Sequence, residues 1–179
     1  MTSGPPPDFP SLYRSEFSYV WKTLRRLGAP AQELEDLAHD LFVVVHRHFA
    51  EYQPDRPLRP WLFGIAVRVV ADFRRSPRSG REILGDATTP IDPIDHASTP
   101  AEHLEGAEAR AQLMKALDTL DLDRRAVFVM HELDDMSVPD IARTLGIPLN
   151  TAYSRLRLAR AEVAAAIQRL IIGERSRHG

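Results

Sequence analysis

The stretch Ser137–Arg160, SVPDIARTLGIPLNTAYSRLRLAR, decides how this chain folds. Ser137 can cap a helix with its hydroxyl, and Asp140, three residues on, can answer toward the backbone N–H groups or the helix dipole. Ile141 and Leu145 then face inward, and small Ala142 lets another helix cross closely. Gly146 permits a tight turn, Ile147 plugs the core and Pro148 opens the next helix. The spacing predicts a helix-turn-helix. In such a unit the second helix lies in the major groove of DNA, its early residues aimed at base edges and its later cations at phosphates. Asn150, Thr151, Tyr153, Ser154, Arg155, Arg157 and Arg160 supply donors on that helix, while Ala152, Leu156 and Ala159 hold it to its domain. Arg155 falls in the part expected to face the groove, and Arg160 in the part expected to meet phosphate. The competing reading is an amphipathic hairpin with a solvated basic face; the combined cap, Ala, Gly and Pro spacing favours the DNA reader.

Working outward, helical periodicity recurs upstream. Tyr13, Phe17, Val20, Trp21, Leu24 and Leu27 return every three or four residues and predict a helix over 12–27, stopped by Gly28 and Pro30. A second helix is expected over 31–52, with Leu34, Leu37, Leu41, Val44, Val45 and Phe49 inward and Glu33, Asp36, Asp40 and Arg47 outward. A third starts near Pro60, its apolar face formed by Trp61, Leu62, Ile65, Ala66, Val69 and Phe73. Helicity resumes at Leu113, Met114, Leu117 and Leu120, then at Val127, Met130 and Leu133 behind a cap at Asp121 or Asp123. No segment alternates like a strand. The fold class is therefore all-α, two small helical domains over 9–80 and 108–172 joined by a flexible, Pro-containing acidic linker over 81–107.

Charge supports that division. The chain of 179 residues carries a formal net charge of −2, which hides a segregated pattern. Arg56, Arg59, Arg68, Arg74, Arg75, Arg78 and Arg81 are opposed only by Asp55 and Asp72, whereas the stretch from Glu82 to Glu108 has seven acids and no Lys or Arg. The absence of Cys removes disulfide, thiol and Cys-ligated zinc chemistry. No apolar run approaches the roughly 20 residues needed to cross a bilayer, and the Pro-rich start is unlike a secretory signal. A cytoplasmic protein without membrane insertion is the expectation.

The helix-turn-helix resembles the C-terminal DNA-binding region of sigma factors, which commonly read Leu-Ser-x-x-Glu-Ile-Ala-x-x-Leu-Gly-Ile-Pro-x-Gly-Thr-Val-Lys-Ser-Arg-Leu-x-Arg-Ala-Arg. The first half is similar to the same family, of the small extracytoplasmic-function type. Glu35-Asp-Leu-Ala-His-Asp-Leu-Phe42 matches its Glu-Asp-Leu-x-Gln-Glu-x-Phe, and Arg59-Pro-Trp-Leu-Phe-Gly-Ile-Ala-Val-Arg-Val-Val-Ala-Asp-Phe-Arg-Arg75 matches its Trp-Leu-x-x-Ile-Ala-x-Asn-x-x-x-Asp followed by basic residues. The resemblance implies a region 2-like domain, a region 4-like domain, and core RNA polymerase and promoter DNA as partners. It implies polymerase contacts from Asp36, His39, Asp40, Val43 and Arg47. Contacts to the opened −10 element would come from Arg59, Trp61, Arg68, Asp72, Arg74, Arg75 and Arg78, and −35 contacts from the donors of the recognition helix. His39 and Asp40 stand where the family has Gln-Glu, Arg68 where it has Asn, Asn150 where it has Gly, and Tyr153 and Leu158 where it often has basic residues. An anti-sigma factor is a partner common in that family, and a monomer when free is expected.

Other readings remain open at the level of sequence. A helix-turn-helix regulator that never joins polymerase would not need the first-half motifs. His39, His46 and His48, with Asp36, invite a metal site, but His48 lies about 200° around an ideal helix from His46, and a helical metal-dependent hydrolase would lack a convincing ligand set, phosphate loop or nucleophile triad. The expectation is no catalysis, no cofactor and no metal. Trp61 can pack in the core or stack on an unpaired base.

Overall fold

The computed structural model describes residues 8–52, 56–77 and 100–175. All regular structure among them is helical, and the chain divides into two compact units, 1–92 and 93–179.

In the first unit, α1 spans Phe9–Arg26 and begins where the Asp8 carboxylate accepts the Ser11 N–H at 2.9 Å. Hydrogen bonds from Ser11 hold the Asp8 carboxyl below its ordinary pKa. The helix stops at Gly28, whose φ of 88° carries the backbone into the left-handed region. A short 3-10 turn, Ala31–Glu33, leads into α2, Leu34–His48; a second, Phe49–Glu51, follows it. The third helix, α3, runs Leu58–Arg75, with Pro60 in its first turn. Each helix packs on the other two. Leu12, Val20 and Leu24 of α1, Leu34, Leu37, Leu41 and Val45 of α2, and Leu62, Phe63, Ala66 and Val70 of α3 form the core. The buried side of α3 differs from the expected one: Phe63 and Val70 are sealed, whereas Trp61 and Val69 are only half-buried. The cause is that α3 meets two helices, so its buried sector is wider than one stripe. Phe9, Tyr13 and Phe17 run up one side of α1 against Phe42, His46 and Phe49, with the Tyr13 and Phe42 ring centroids 4.5 Å apart.

The second unit opens with α4, Pro100–Leu117, so its first helix starts eight residues earlier than the expected domain start at 108. Residues 81–99 of the expected linker lie outside the described residues. Asp121 caps α5, Leu122–Phe128, by accepting the Arg124 N–H at 2.8 Å. A π-helical turn, Val129–Leu133, follows, and the chain reverses through Asp135 at φ 52°. Ser137 caps α6, Val138–Leu145, accepting the Asp140 N–H at 3.3 Å while its own hydroxyl donates to the Asp140 carboxylate at 2.6 Å. Gly146, at φ 65° and ψ 36°, closes α6. The N–H groups of Gly146 and Ile147 donate to the carbonyls of Arg143 and Ala142, the double bond pattern of a Schellman stop. The Pro148 carbonyl then accepts the Ala152 N–H at 3.1 Å, opening α7, Leu149–Arg175. Helices α4, α5 and α6 all pack on α7 through Ala152, Leu156, Ala159, Val163 and Ala166. The helix-turn-helix is present as expected, though Leu145 and Ile147 are half-buried.

Candidate nucleic-acid and protein interfaces

On α2 the buried stripe leaves the opposite side to solvent. Asp36, His39, Asp40 and Arg47 are exposed there and Val43 is half-buried, so the five residues expected to meet polymerase share one face. None of the four polar side chains forms an ion pair among the described residues.

The cations of α3 do not share one role. Arg59 donates through Nε to Glu16 at 3.2 Å and lies 4.9 Å over the Tyr19 ring, which ties α3 to α1. Arg74 reaches back to the carbonyl of Leu27 at 2.9 Å, satisfying an orphan acceptor at the end of α1. Arg75 pairs with Asp72 on the same helix at 2.5 Å. Arg68 is exposed with no ion pair among the described residues. Trp61 lies against Tyr52, ring centroids 5.0 Å apart. Arg78 lies outside the described residues.

On α7, Asn150, Tyr153, Ser154 and Arg157 are exposed and Thr151 is half-buried. Arg155 turns toward its own domain: its side chain is 27% exposed and donates to Asp123 in the first turn of α5 at 2.5 Å. Arg160 donates through Nε to Glu132 of the π turn at 2.6 Å. Arg157 makes no ion pair among the described residues. A groove of about 820 Å³ runs between α7 and the start of α6, lined by Tyr153, Arg157, Arg160, Ser137 and His131 among others. The His131 Nδ1 is 2.8 Å from the Met136 carbonyl. A carbonyl only accepts, so Nδ1 carries the proton and Nε2 is the ring's remaining polar atom.

The periodicity of α7 gives no warning of Asp123 or Glu132, because each meets its arginine from a different helix, 32 and 28 residues away. Among the described residues no three His, Asp or Glu side chains converge as a metal-binding group. His46 packs against Phe9 at 4.8 Å and His48 pairs with Glu51 at 3.0 Å. No helix among the described residues is long and apolar enough to cross a membrane.

Two helical units, one ending in a capped helix-turn-helix with cations on its outer side, define a two-domain DNA-reading protein. The family model for sigma-70 region 2 matches residues 12–79, and that for sigma-70 region 4 matches residues 110–163. The sequence is 32% identical to the ECF RNA polymerase sigma factor SigL of Mycobacterium tuberculosis over 89% of each chain. It is 31% identical to the RNA polymerase sigma factor NccH of Alcaligenes xylosoxydans xylosoxydans, over 80% of this chain and 78% of that one. Among solved structures, CnrH in complex with the cytosolic domain of CnrY aligns with a TM-score of 0.59 at 26% identity, covering 89% of this chain and 87% of the other. The sigma factor RpoE of Bartonella quintana, in complex with the anti-sigma factor NepR, shares the fold at a TM-score of 0.66 and 20% identity, over 90% of this chain and 97% of that one. The chain belongs to the RNA polymerase sigma factors of the extracytoplasmic-function type. It is a sigma factor, which joins core RNA polymerase and directs initiation at specific promoters.

Proposed function

We propose a division of labour among three surfaces of this sigma factor. The outer face of α2, with Asp36, His39, Asp40, Val43 and Arg47, docks on core polymerase. The exposed side of α3, with Arg68 as its unpaired cation, contacts the separated −10 strand, helped by Trp61 and by the basic residues that follow. The exposed side of α7 reads the −35 duplex through Asn150, Tyr153, Ser154 and Arg157, while Arg160 meets phosphate. Arg155, held by Asp123, supports α7 rather than entering the groove.

The observation that carries this reading is the exposure of Asn150, Tyr153, Ser154 and Arg157 along one side of a helix that directly follows the Gly146 turn. A helix presented in this way offers its early side chains to base edges. The factor has no chemistry of its own, acts in the cytoplasm, is a monomer when free, and is restrained by an anti-sigma factor. The solved complex of RpoE with NepR is a precedent for that restraint within the same fold.

Run-off transcription with purified core polymerase and genomic DNA, followed by start-site mapping, tests the whole reading. Starts preceded by a shared −35/−10 pair, present only when the factor is added, are expected. Competition binding to duplexes randomised at −35 then separates the arginines. Arg157→Ala should flatten sequence preference by about 1–3 kcal/mol, the worth of a base-edge arginine, and Arg155→Ala should leave the preference intact. The opposite pattern returns Arg155 to the groove.

A further inference from the structure

The π turn Val129–Leu133 is a rare kind of local structure, and it stands just ahead of α6, which has its own cap at Ser137. Such turns occur often at functional sites. This one places two consecutive polar side chains beside α7. His131 lines the groove with its ring fixed by the Met136 carbonyl, and Glu132 takes the Nε of Arg160.

Arginine binds an anion best when its planar fork is already oriented, because less side-chain freedom is then lost per bond formed. Glu132 engages Nε at 2.6 Å, and no hydrogen bond of the terminal nitrogens of Arg160 is found among the described residues. The Arg160 side chain is 54% exposed and lines the groove, and the Glu132 side chain that holds it is 33% exposed. Arg157 shares the groove, with no carboxylate partner among the described residues. The result is a groove with two arginines, one loose and one braced, beside an imidazole.

We propose that Glu132 is a positioning residue for a DNA backbone phosphate: it braces the Arg160 guanidinium through Nε so that the terminal nitrogens bind that phosphate in the α6–α7 groove. This rests on the −35 reading of α7 and adds a role for a residue outside the recognition helix. A brace and a latch differ in sign. If Glu132 merely neutralised Arg160, its removal would tighten DNA binding; if it orients Arg160, its removal weakens binding although a negative charge has gone.

The experiment measures binding of the full-length chain, assembled with core polymerase, to a labelled promoter duplex across a series of salt concentrations. Glu132→Ala is expected to weaken binding about two- to fivefold, the scale of an exposed ion pair, and equally across −35 sequences. Arg160→Ala should weaken it further and reduce the salt slope by about one phosphate contact. With Arg160→Ala already present, Glu132→Ala should add nothing, an outcome that general destabilisation of the domain would not give. A thermal melt of each variant separates loss of fold from loss of binding, and Glu132→Leu, which also lacks an acceptor for Nε, provides a second variant with the same expected sign. Unchanged or tighter binding by Glu132→Ala, or an equal loss in the Arg160→Ala background, overturns the brace. If Arg157→Ala and Arg160→Ala still weaken binding in that case, the −35 reading stands without it. If none of these α7 substitutions alters binding, the −35 reading falls as well.

Discussion

The two units of this sigma factor are held together differently. The first is a three-helix bundle with an apolar core and an aromatic ridge, in which an ion pair from Arg59 to Glu16 joins α3 to α1. The second wraps short helices around α7 and ties them with charge: Arg124 to Glu162, Arg155 to Asp123 and Arg160 to Glu132, with Arg125 buried against Asp118. Helices of seven or eight residues, as in α5 and α6, bury few side chains each, so polar ties supplement their packing. The lesson concerns arginines near DNA. In the first unit Arg68 is exposed with no ion pair among the described residues, whereas in the second Arg155 and Arg160 each meet a carboxylate from another element and Arg157 meets none among the described residues.

The sharpest way to break this contrast begins in the apolar core. Phe63→Ala should cost about 3–5 kcal/mol, as for other buried aromatics. Both tryptophans, Trp21 and Trp61, lie in the first unit, so denaturation followed by tryptophan fluorescence reports that unit alone. A midpoint insensitive to Phe63→Ala would mean that α3 is not sealed as described. Asp118→Ala is expected to destabilise the second unit by about 2 kcal/mol, below the range for a fully buried pair because Asp118 is 66% exposed while Arg125 is 2% exposed. Its effect should appear in the circular dichroism transition and leave the tryptophan signal in place.

Smaller effects sharpen the comparison. Gly146→Ala should cost about 1 kcal/mol from the positive φ alone, because a Cβ there meets nothing within 4 Å. A larger loss, measured by thermal unfolding, would reveal crowding at the turn. Charge reversal of Asp36 and Asp40 together should change stability by less than about 0.5 kcal/mol, as for exposed sites without partners, yet weaken association with core polymerase in a pull-down titration. Core affinity equal to that of the unaltered chain would remove the α2 face from the docking surface.

Local signals made the second unit legible in advance. Ser137, Asp140, Gly146 and Pro148 act within a few residues of where they stand: a hydroxyl reaches an N–H three residues on, and a left-handed turn needs only its own glycine. The first helix pair was legible for the same reason, since a 3.6-residue period exposes one stripe per helix. The early start of α4 at Pro100 was not. The stretch after Pro100 lacks an apolar period and reads as linker, but a helix anchored by Ala116 and Leu117 extends cheaply toward its N-terminus through Ala and Glu.

By itself the sequence determined the all-α class, the two domains and the helix-turn-helix, because caps, turns and stripes are written in neighbouring residues. Which arginines are tied and which are presented was decided only by tertiary structure. Arg155 and Arg157 are chemically identical and two positions apart on α7, yet one meets Asp123 and the other meets no carboxylate among the described residues. The carboxylates that make the difference come from other helices, and only the packing of α5 and the π turn against α7 brings them within reach.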